Sequence, residues 1–464
     1  MSILRDNIPK FDFVIPVLVI GAGACGLSAA LAASDGGAEV LVLERDSTPL
    51  GSTSMSTGLI PASGTPEQAA KTIDDSPERF AEDIARKTKD QADPDLALHV
   101  ARESGETIAW LRDTHAVPLG FVEGFLYPGH SRMRMYGTPN RSGGELQGAL
   151  EAALGRTEAS LLTDATVRDL YVEGDTVVGV RAERPDGGVE LIGCQSLILA
   201  CCGYGGDADM VAAHIPEMAE AVYHGHPGNR GDAVKWGQAL GAELADMSGY
   251  QGHGGLAAGF GVPILWPQIM EGGFQINAHG LRFSNEAAGY SEQAREVNAQ
   301  PGHVAWTISD GRLHDLMMSF EDYQDAVRAG AVQDAADVAA IAAIIGAPLE
   351  TVTHTLANVE ACVLGEAADL FGRDFTGKPP LSAPYRVAKV TGALFHTQGG
   401  LAVDADARVK KHDGGVFPNL FAGGGAARGL SGPGPAGYLA GNGLLTATTL
   451  GKLAGRAAAR QVTG

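Results

Sequence analysis

The stretch VIPVLVIGAGACGLSAALAASDGGAEVLVLE, residues 14–44, leaves little freedom of fold. An apolar run over about 14–20 predicts a buried strand. Gly21-x-Gly23-x-x-Gly26 predicts a tight turn into a small-residue helix over about 24–34, and Val40–Leu43 predicts a second strand ending at Glu44. The three together are a βαβ unit. Gly21 permits the turn, Gly23 lets a pyrophosphate approach the backbone, and Gly26 lets helix and strand pack closely. Ala24 opens the helix, whose N-terminus faces the phosphate charge. Glu44 ends the strand where a carboxylate hydrogen-bonds ribose hydroxyls.

At 464 residues the chain is long for one domain. Its formal charge of −21, without a basic run, argues against nucleic acid and anionic membranes as partners. An acidic substrate would therefore need local arginines. Five cysteines (Cys25, Cys194, Cys201, Cys202 and Cys362) lack metal-ligand spacing and read as free thiols in a reducing compartment, with no metal site. The apolar N-terminal stretch is too short to span a membrane and runs straight into the glycine turn, so it reads as a strand and not a signal. The expected location is the cytoplasm.

Further along, residues 67–116 carry helical periodicity, with Asp93 or Pro94 near one helix start. Residues 160–200 alternate apolar and polar, with turns at 173–175 and 185–188, and predict a β-meander returning to a buried strand over Ser196–Ala200. Residues 250–290 read as glycine-rich loops, 310–370 as mostly helical, and 385 onward as short strands before a last helix over about 442–460. The expected fold is α/β: a Rossmann-like nucleotide-binding domain with a β-meander, built from 1–248 and 378–464, and an inserted α+β domain over 249–377.

After Glu44-Arg45 the chain carries Gly51-Ser52-Thr53, Ser56-Thr57 and Gly58, small hydroxyl and glycine residues suited to phosphate and to a flat polar ring. This pattern resembles the flavoprotein family that includes soluble fumarate reductases and 3-ketosteroid Δ1-dehydrogenases. Later segments are similar in the same order: SLILACCGYGGD, NRGDAVKWGQALGAEL, AHGLRFSNE, LFHTQGGLAVDADARV, NLFAGGG and GYLAGNGLLTATTLGKLAG. The resemblance implies FAD, held by the residues above together with Val167, Ala200, Gly203, Asp232, Gly424, Gly441, Asn442, Leu444 and Leu445. No histidine lies near 52–56, so the expected FAD is noncovalent. Where many members carry an acidic or amide residue after Ala-x-Gly, this chain has Gly425. The inserted domain is expected to be the substrate-binding cap, and the helix opening at Gly441–Leu444 to face the flavin N1/O2 region, where its dipole favours negative charge.

The resemblance also aligns Tyr290 and Tyr438 with two arginines that hold a dicarboxylate in the fumarate reductases. Phenols there are similar to the ketosteroid dehydrogenases, in which one tyrosine removes a proton beside a ketone and the other, with a backbone amide, polarises the ketone oxygen. That implies an enzyme which desaturates a C–C bond adjacent to a ketone, with Tyr290 as base, Tyr438 and an amide near Gly441 as oxyanion hole, and hydride passing to flavin N5. A phenol with a reference pKa of about 10 needs a polar neighbour to act as base, for which Tyr127 and Tyr136 are candidates. His253 and His396 match histidines that contact substrate in the fumarate reductases. Arg132 and Arg134 fall on one side of an extended HSRMRMYG and are candidates for a substrate carboxylate. The expected substrate is a small-molecule ketone, a cyclic ketone, an oxo-cyclohexane carboxylate or a 3-ketosteroid, with a separate electron acceptor: oxygen, a quinone or a redox protein. The rivals are a fumarate-reductase-like enoate reductase and a flavin-binding protein without catalysis.

Overall fold

The computed structural model describes residues 2–124 and 126–464. Its residues fall into two units. The first runs to Pro216, resumes over Gly225–Tyr250 and ends with His396–Gly464; the second comprises Glu217–His224 and Gln251–Phe395.

The first unit is built on the strand Phe13–Ile20. It pairs in parallel with Val189–Leu199 on one side and with Val40–Leu43 on the other. Val17 to Val19 are fully buried, as an apolar run covered on both faces must be. The second ladder begins only at Val17, so Pro16, which has no N–H to donate, sits ahead of it. Val40–Leu43 pairs onward with Ser160–Leu162, and Val189–Leu199 also pairs in parallel with Val416–Ala422. The meander is present as Thr166–Glu173, Thr176–Glu183 and Val189–Leu199, antiparallel in sequence order.

Two helices with small faces pack on this sheet. A Cβ on Gly451 of the last helix, Asn442–Thr463, would lie 2.4 Å from the carbonyl oxygen of Cys25, and one on Gly455 would lie 2.1 Å from that of Ala29. The helix Ala24–Asp35 therefore meets it backbone to backbone, which explains the alanine and glycine content of both.

The second unit centres on the strand Tyr385–Thr397, whose last two residues belong to the first unit. It pairs with Val222–Tyr223, Val304–Asp310, Val332–Ala335 and Tyr250–Ala257, and Phe274–Ile276 pairs with Val304–Asp310. Helices Val338–Ile345 and Leu349–Val363 bury Ile341, Val352 and Val359 against Phe274, Ile308 and Val387.

The inserted unit thus reaches Phe395, beyond the 377 read from sequence, because its central strand follows that point. Residues 250–257, read as loop, form a buried strand. Its glycines are places of close approach: a Cβ on Gly254 would lie 2.7 Å from Gln293 Cγ. Among the described residues, no helix is long and apolar enough to cross a membrane, and all five cysteines are free.

Candidate active site

In the first unit the glycine turn has the form its spacing predicts. Gly21 has φ 103°, and a Cβ there would lie 2.6 Å from Ala200 O. A Cβ on Gly26 would come within 1.8 Å of Gly21 O. Gly21 and Gly23 are half-buried while Ala22 and Ala24 are buried, so the turn opens outward only at its glycines. Glu44 is held from both sides: Ala22 N donates to its Oε2 at 2.9 Å and Asp46 N to its Oε1 at 3.0 Å. Thr53 Oγ1 accepts Ala24 N at 2.9 Å and so caps the first helix from another segment.

The loop behind Glu44 folds on itself. Gly51 and Gly58 take φ 48° and 66°. Ser56 Oγ donates to Thr53 O and accepts Gly58 N. Ser52 Oγ accepts Asn229 Nδ2 at 2.8 Å and lies 3.6 Å from Cys202 Sγ. Thr57 is half-buried. Arg45 lies flat on Gly228, donating to its carbonyl at 2.8 Å and to Asp46. Val167 and Ala200 are nearly buried, and a Cβ on Gly203 would meet Thr397 Oγ1. Gly424 has φ 58°. At Gly425 a side chain would start 2.8 Å from Gly203 N, so the backbone fills the volume that an acidic or amide residue would need. Asp232 opens the helix Asp232–Leu240; its Oδ1 has no hydrogen-bond partner among the described residues, and desolvation pushes its carboxyl above the usual range.

The last helix begins at Gly441, φ 83°. Gly441, Gly443 and Leu444 are half-buried, whereas the Leu445 side chain is in the core. Asn442 is enclosed, and neither atom of its amide group has a partner among the described residues, so hydrogen-bonding capacity at this helix start is unmet. The backbone amides of Gly443 and Gly441 lie beside the Tyr438 hydroxyl and act to lower its pKa. Burial pushes that phenol's pKa up, outweighing the two amides, so it stays protonated at neutral pH. His396 stands edge-on to Tyr438, ring centroids 5.4 Å apart, and burial pushes it down to about 4.

Half-buried glycines, the anchored Glu44 carboxylate and the unmet Asn442 amide at the last helix start form a set of donors and acceptors that suits a dinucleotide with a flat polar ring. The residues fit the cofactor that the sequence implies.

The second unit carries Tyr290 at the start of helix Tyr290–Asn298, directly after Gly289, whose φ of 151° favours glycine. Its ring stacks on His253 at 5.2 Å, His253 stacks on Phe395 at 5.0 Å, and Trp266 stands edge-on to both His253 and Tyr290. His253 Nδ1 accepts Gly255 N at 3.1 Å, which leaves the proton on Nε2. Burial, and next His224, push its pKa down to about 3.

The segment carrying Tyr290 is locked behind it. Glu286 Oε1 accepts Arg282 Nε at 3.0 Å and Gln275 N at 3.1 Å, and its Oε2 accepts Arg282 Nη2 at 2.8 Å and Arg373 Nη1 at 3.1 Å. Trp266 Nε1 donates to Glu286 O. Arg282 also pairs with Asp369. Sequence reading recognised Arg282-Phe-Ser-Asn-Glu286 as a motif but missed this role, since Arg373 and Asp369 lie far along the chain. His224, Phe395 and Trp266 were missed for the same reason.

Arg134 is 1% exposed, and its guanidinium is matched by two carboxylates: Nε and Nη2 donate to Asp75, and Nη1 to Asp83. That charge is already neutralised within the chain, so the carboxylate-binding expectation does not hold for its geometry. Arg132 donates to Asp74 O and Ser131 O from a half-buried position. Tyr136 Oη bridges Thr65 Oγ1 and Glu67 Oε2, a structural placement. Tyr127 belongs to the first unit, and burial pushes its phenol up.

The profile of the FAD binding domain family matches residues 16–444. A probable fumarate reductase of Shewanella frigidimarina is 27% identical over 451 residues, 96% of this chain and 74% of that protein. Among solved structures, the open conformation of a flavocytochrome c3 fumarate reductase superposes with TM-score 0.82 at 25% identity, over 98% of this chain and 80% of its own. The 3-ketosteroid Δ4-(5α)-dehydrogenase from Rhodococcus jostii superposes with TM-score 0.77 at 23% identity, over 98% of this chain and 99% of its own.

Proposed function

The chain belongs to the FAD-binding-domain family, as an FAD-dependent oxidoreductase, and on that premise we propose that it desaturates a C–C bond adjacent to a ketone. The observation that carries the reading is Tyr438: a buried phenol kept protonated, edge-on to His396 beside the start of the last helix. Such a group stabilises the negative charge that develops on a ketone oxygen when the neighbouring carbon loses a proton. A dicarboxylate would call for guanidinium groups at 290 and 438, and both positions are tyrosine.

Tyr290, as its phenolate, takes the proton from the carbon beside the carbonyl and becomes the neutral phenol. The lock on Glu286 and the stacked His253 hold its ring in one orientation. The chemistry a bound FAD supplies is acceptance of the hydride leaving the next carbon. FAD is held noncovalently by Gly21, Gly23, Glu44, the 51–58 loop and the start of the last helix. A separate acceptor, oxygen, a quinone or a redox protein, removes the electrons. The substrate is a cyclic ketone, and Arg132 is the remaining member of its pair for an attached carboxylate. The enzyme works in the cytoplasm.

The likeness to a fumarate reductase supports a second reading, reduction of an activated enoate. Anaerobic half-reactions separate the two. Cyclic ketones, with and without a carboxylate, should bleach the oxidised flavin. Ketones that leave it yellow, together with enoates that reoxidise the reduced enzyme, would overturn the desaturase reading in favour of the second.

A further inference from the structure

His396 presents two different nitrogens. Nδ1 lies 3.0 Å from Gln398 Nε2 and 3.3 Å from Thr397 O. Nε2 points the other way, towards the start of the last helix: a Cβ on Gly443 would lie 3.0 Å from it, and Tyr438 stands beside the ring. Gln398 is 4% exposed, and its Oε1 accepts the hydroxyl of Ser431, 1% exposed, at 2.8 Å.

A neutral imidazole carries a single N–H, and the choice of nitrogen decides what the ring can do. If Nδ1 accepts from Gln398, Nε2 carries the hydrogen and can donate to an oxygen that gains charge. If Nδ1 holds the hydrogen, Nε2 is a bare lone pair and can serve only as acceptor or base. The contacts favour the first arrangement. The Ser431 hydroxyl gives its hydrogen to Oε1, which turns the amide NH2 towards the ring. The Nδ1 contact with Gln398 is also shorter than that with the adjacent carbonyl, which lies at the long end of the hydrogen-bond range. The position of the ring beside a helix N-terminus opposes a charged imidazolium and keeps it neutral.

We propose that Gln398, oriented by Ser431, is a positioning residue that locks His396 in its Nε2–H tautomer. His396 then joins Tyr438 as a hydrogen-bond donor to the ketone oxygen and does not act as a base. The donor role rests on the desaturase reading; the tautomer lock does not.

The lock is tested on the FAD-loaded enzyme by nitrogen NMR after labelling histidine, with the His396 signals assigned by their loss in His396→Gln. The expected spectrum has a protonated Nε2 and a bare Nδ1 across the neutral range. Gln398→Glu places a carboxylate against Nδ1, so the hydrogen should move to Nδ1 and the ring pKa should rise. The rate of flavin reduction by ketone should fall on the order of 10²-fold, as for loss of one oxyanion donor, with KM little changed and a new ionisation in the pH profile. Gln398→Leu should leave a mixture of tautomers. A wild-type spectrum with Nδ1 protonated overturns the proposal, and so does a Gln398→Glu enzyme whose spectrum and pH profile match the wild type. An Nε2–H ring in an enzyme whose flavin no ketone bleaches would leave the lock standing and remove the ketone reading.

Discussion

His130 Nε2 donates to the carbonyl of Ala440 at 2.9 Å, and its tautomer is not open to choice. A carbonyl can only accept, so Nε2 must carry the hydrogen. Arg134 Nη1 can only donate, so Nδ1, 3.1 Å away, must be bare. The Asp75–Arg134–Asp83 ion pair is thereby tied through His130 to the segment that carries Tyr438. Arg134→Leu should therefore destabilise the protein by about 3–5 kcal/mol, because it removes the buried cation that pairs with Asp75 and strips Asp83 of one of its two arginine partners. Urea denaturation measures this. An unchanged midpoint would mean that the arginine is spare, as a substrate-binding role would have it.

Tyr290→Phe keeps the ring that stacks on His253 and removes only the hydroxyl. Flavin content and thermal midpoint should stay near wild type, while the first-order rate of flavin reduction by ketone falls on the order of 10²–10⁴-fold, the range for loss of a general base. Rapid-mixing absorbance under anaerobic conditions reads it. Near-normal reduction would take the base assignment away from Tyr290.

Gly26→Ala tests the nucleotide cradle. The added methyl would sit 1.8 Å from Gly21 O, inside any allowed contact, so the turn must open. The variant should purify with little or no flavin absorbance. Glu44→Gln should weaken FAD binding less, since one of its two oxygens can still accept Ala22 N or Asp46 N. Full flavin occupancy in Gly26→Ala would show that the turn yields more easily than its packing suggests.

The parts of this molecule that a reader of the sequence can find are those whose causes are local. Val40–Leu43 and its Glu44 are legible because four apolar residues end in one carboxylate, and the first helix because glycine spacing and small residues lie side by side. Tyr385–Thr397 is not legible as one long central strand, since Lys389, Thr391 and Gly392 interrupt its apolar pattern and its partners come from 222 to 335. Arg134 was placed by alternation alone. Its fate is decided by Asp83 and Asp75, 51 and 59 residues upstream, and nothing in the spacing announces them. The two tyrosines were found through family resemblance, but the placing of His396 beside Tyr438 and the lock behind Tyr290 arise from packing.

Acid should unfold this protein earlier than its carboxylates alone require. Burial holds His130 and His253 down at about 3 and His396 at about 4, against about 6.5 in an unfolded chain. Between pH 6.5 and 4 the unfolded chain binds protons that the folded one refuses, so unfolding takes up protons and stability rises with pH. The contribution is complete above pH 6.5 and is lost as the pH falls towards 4. Each imidazole adds up to one proton, or about 1.4 kcal/mol per pH unit within that window. His253→Gln removes one such group while keeping a polar side chain, and should flatten the fall of the thermal midpoint between pH 6.5 and 5 relative to the parent. Parallel curves for the two would mean that His253 protonates in the folded state, which the stacked rings of Tyr290 and Phe395 on its two faces argue against.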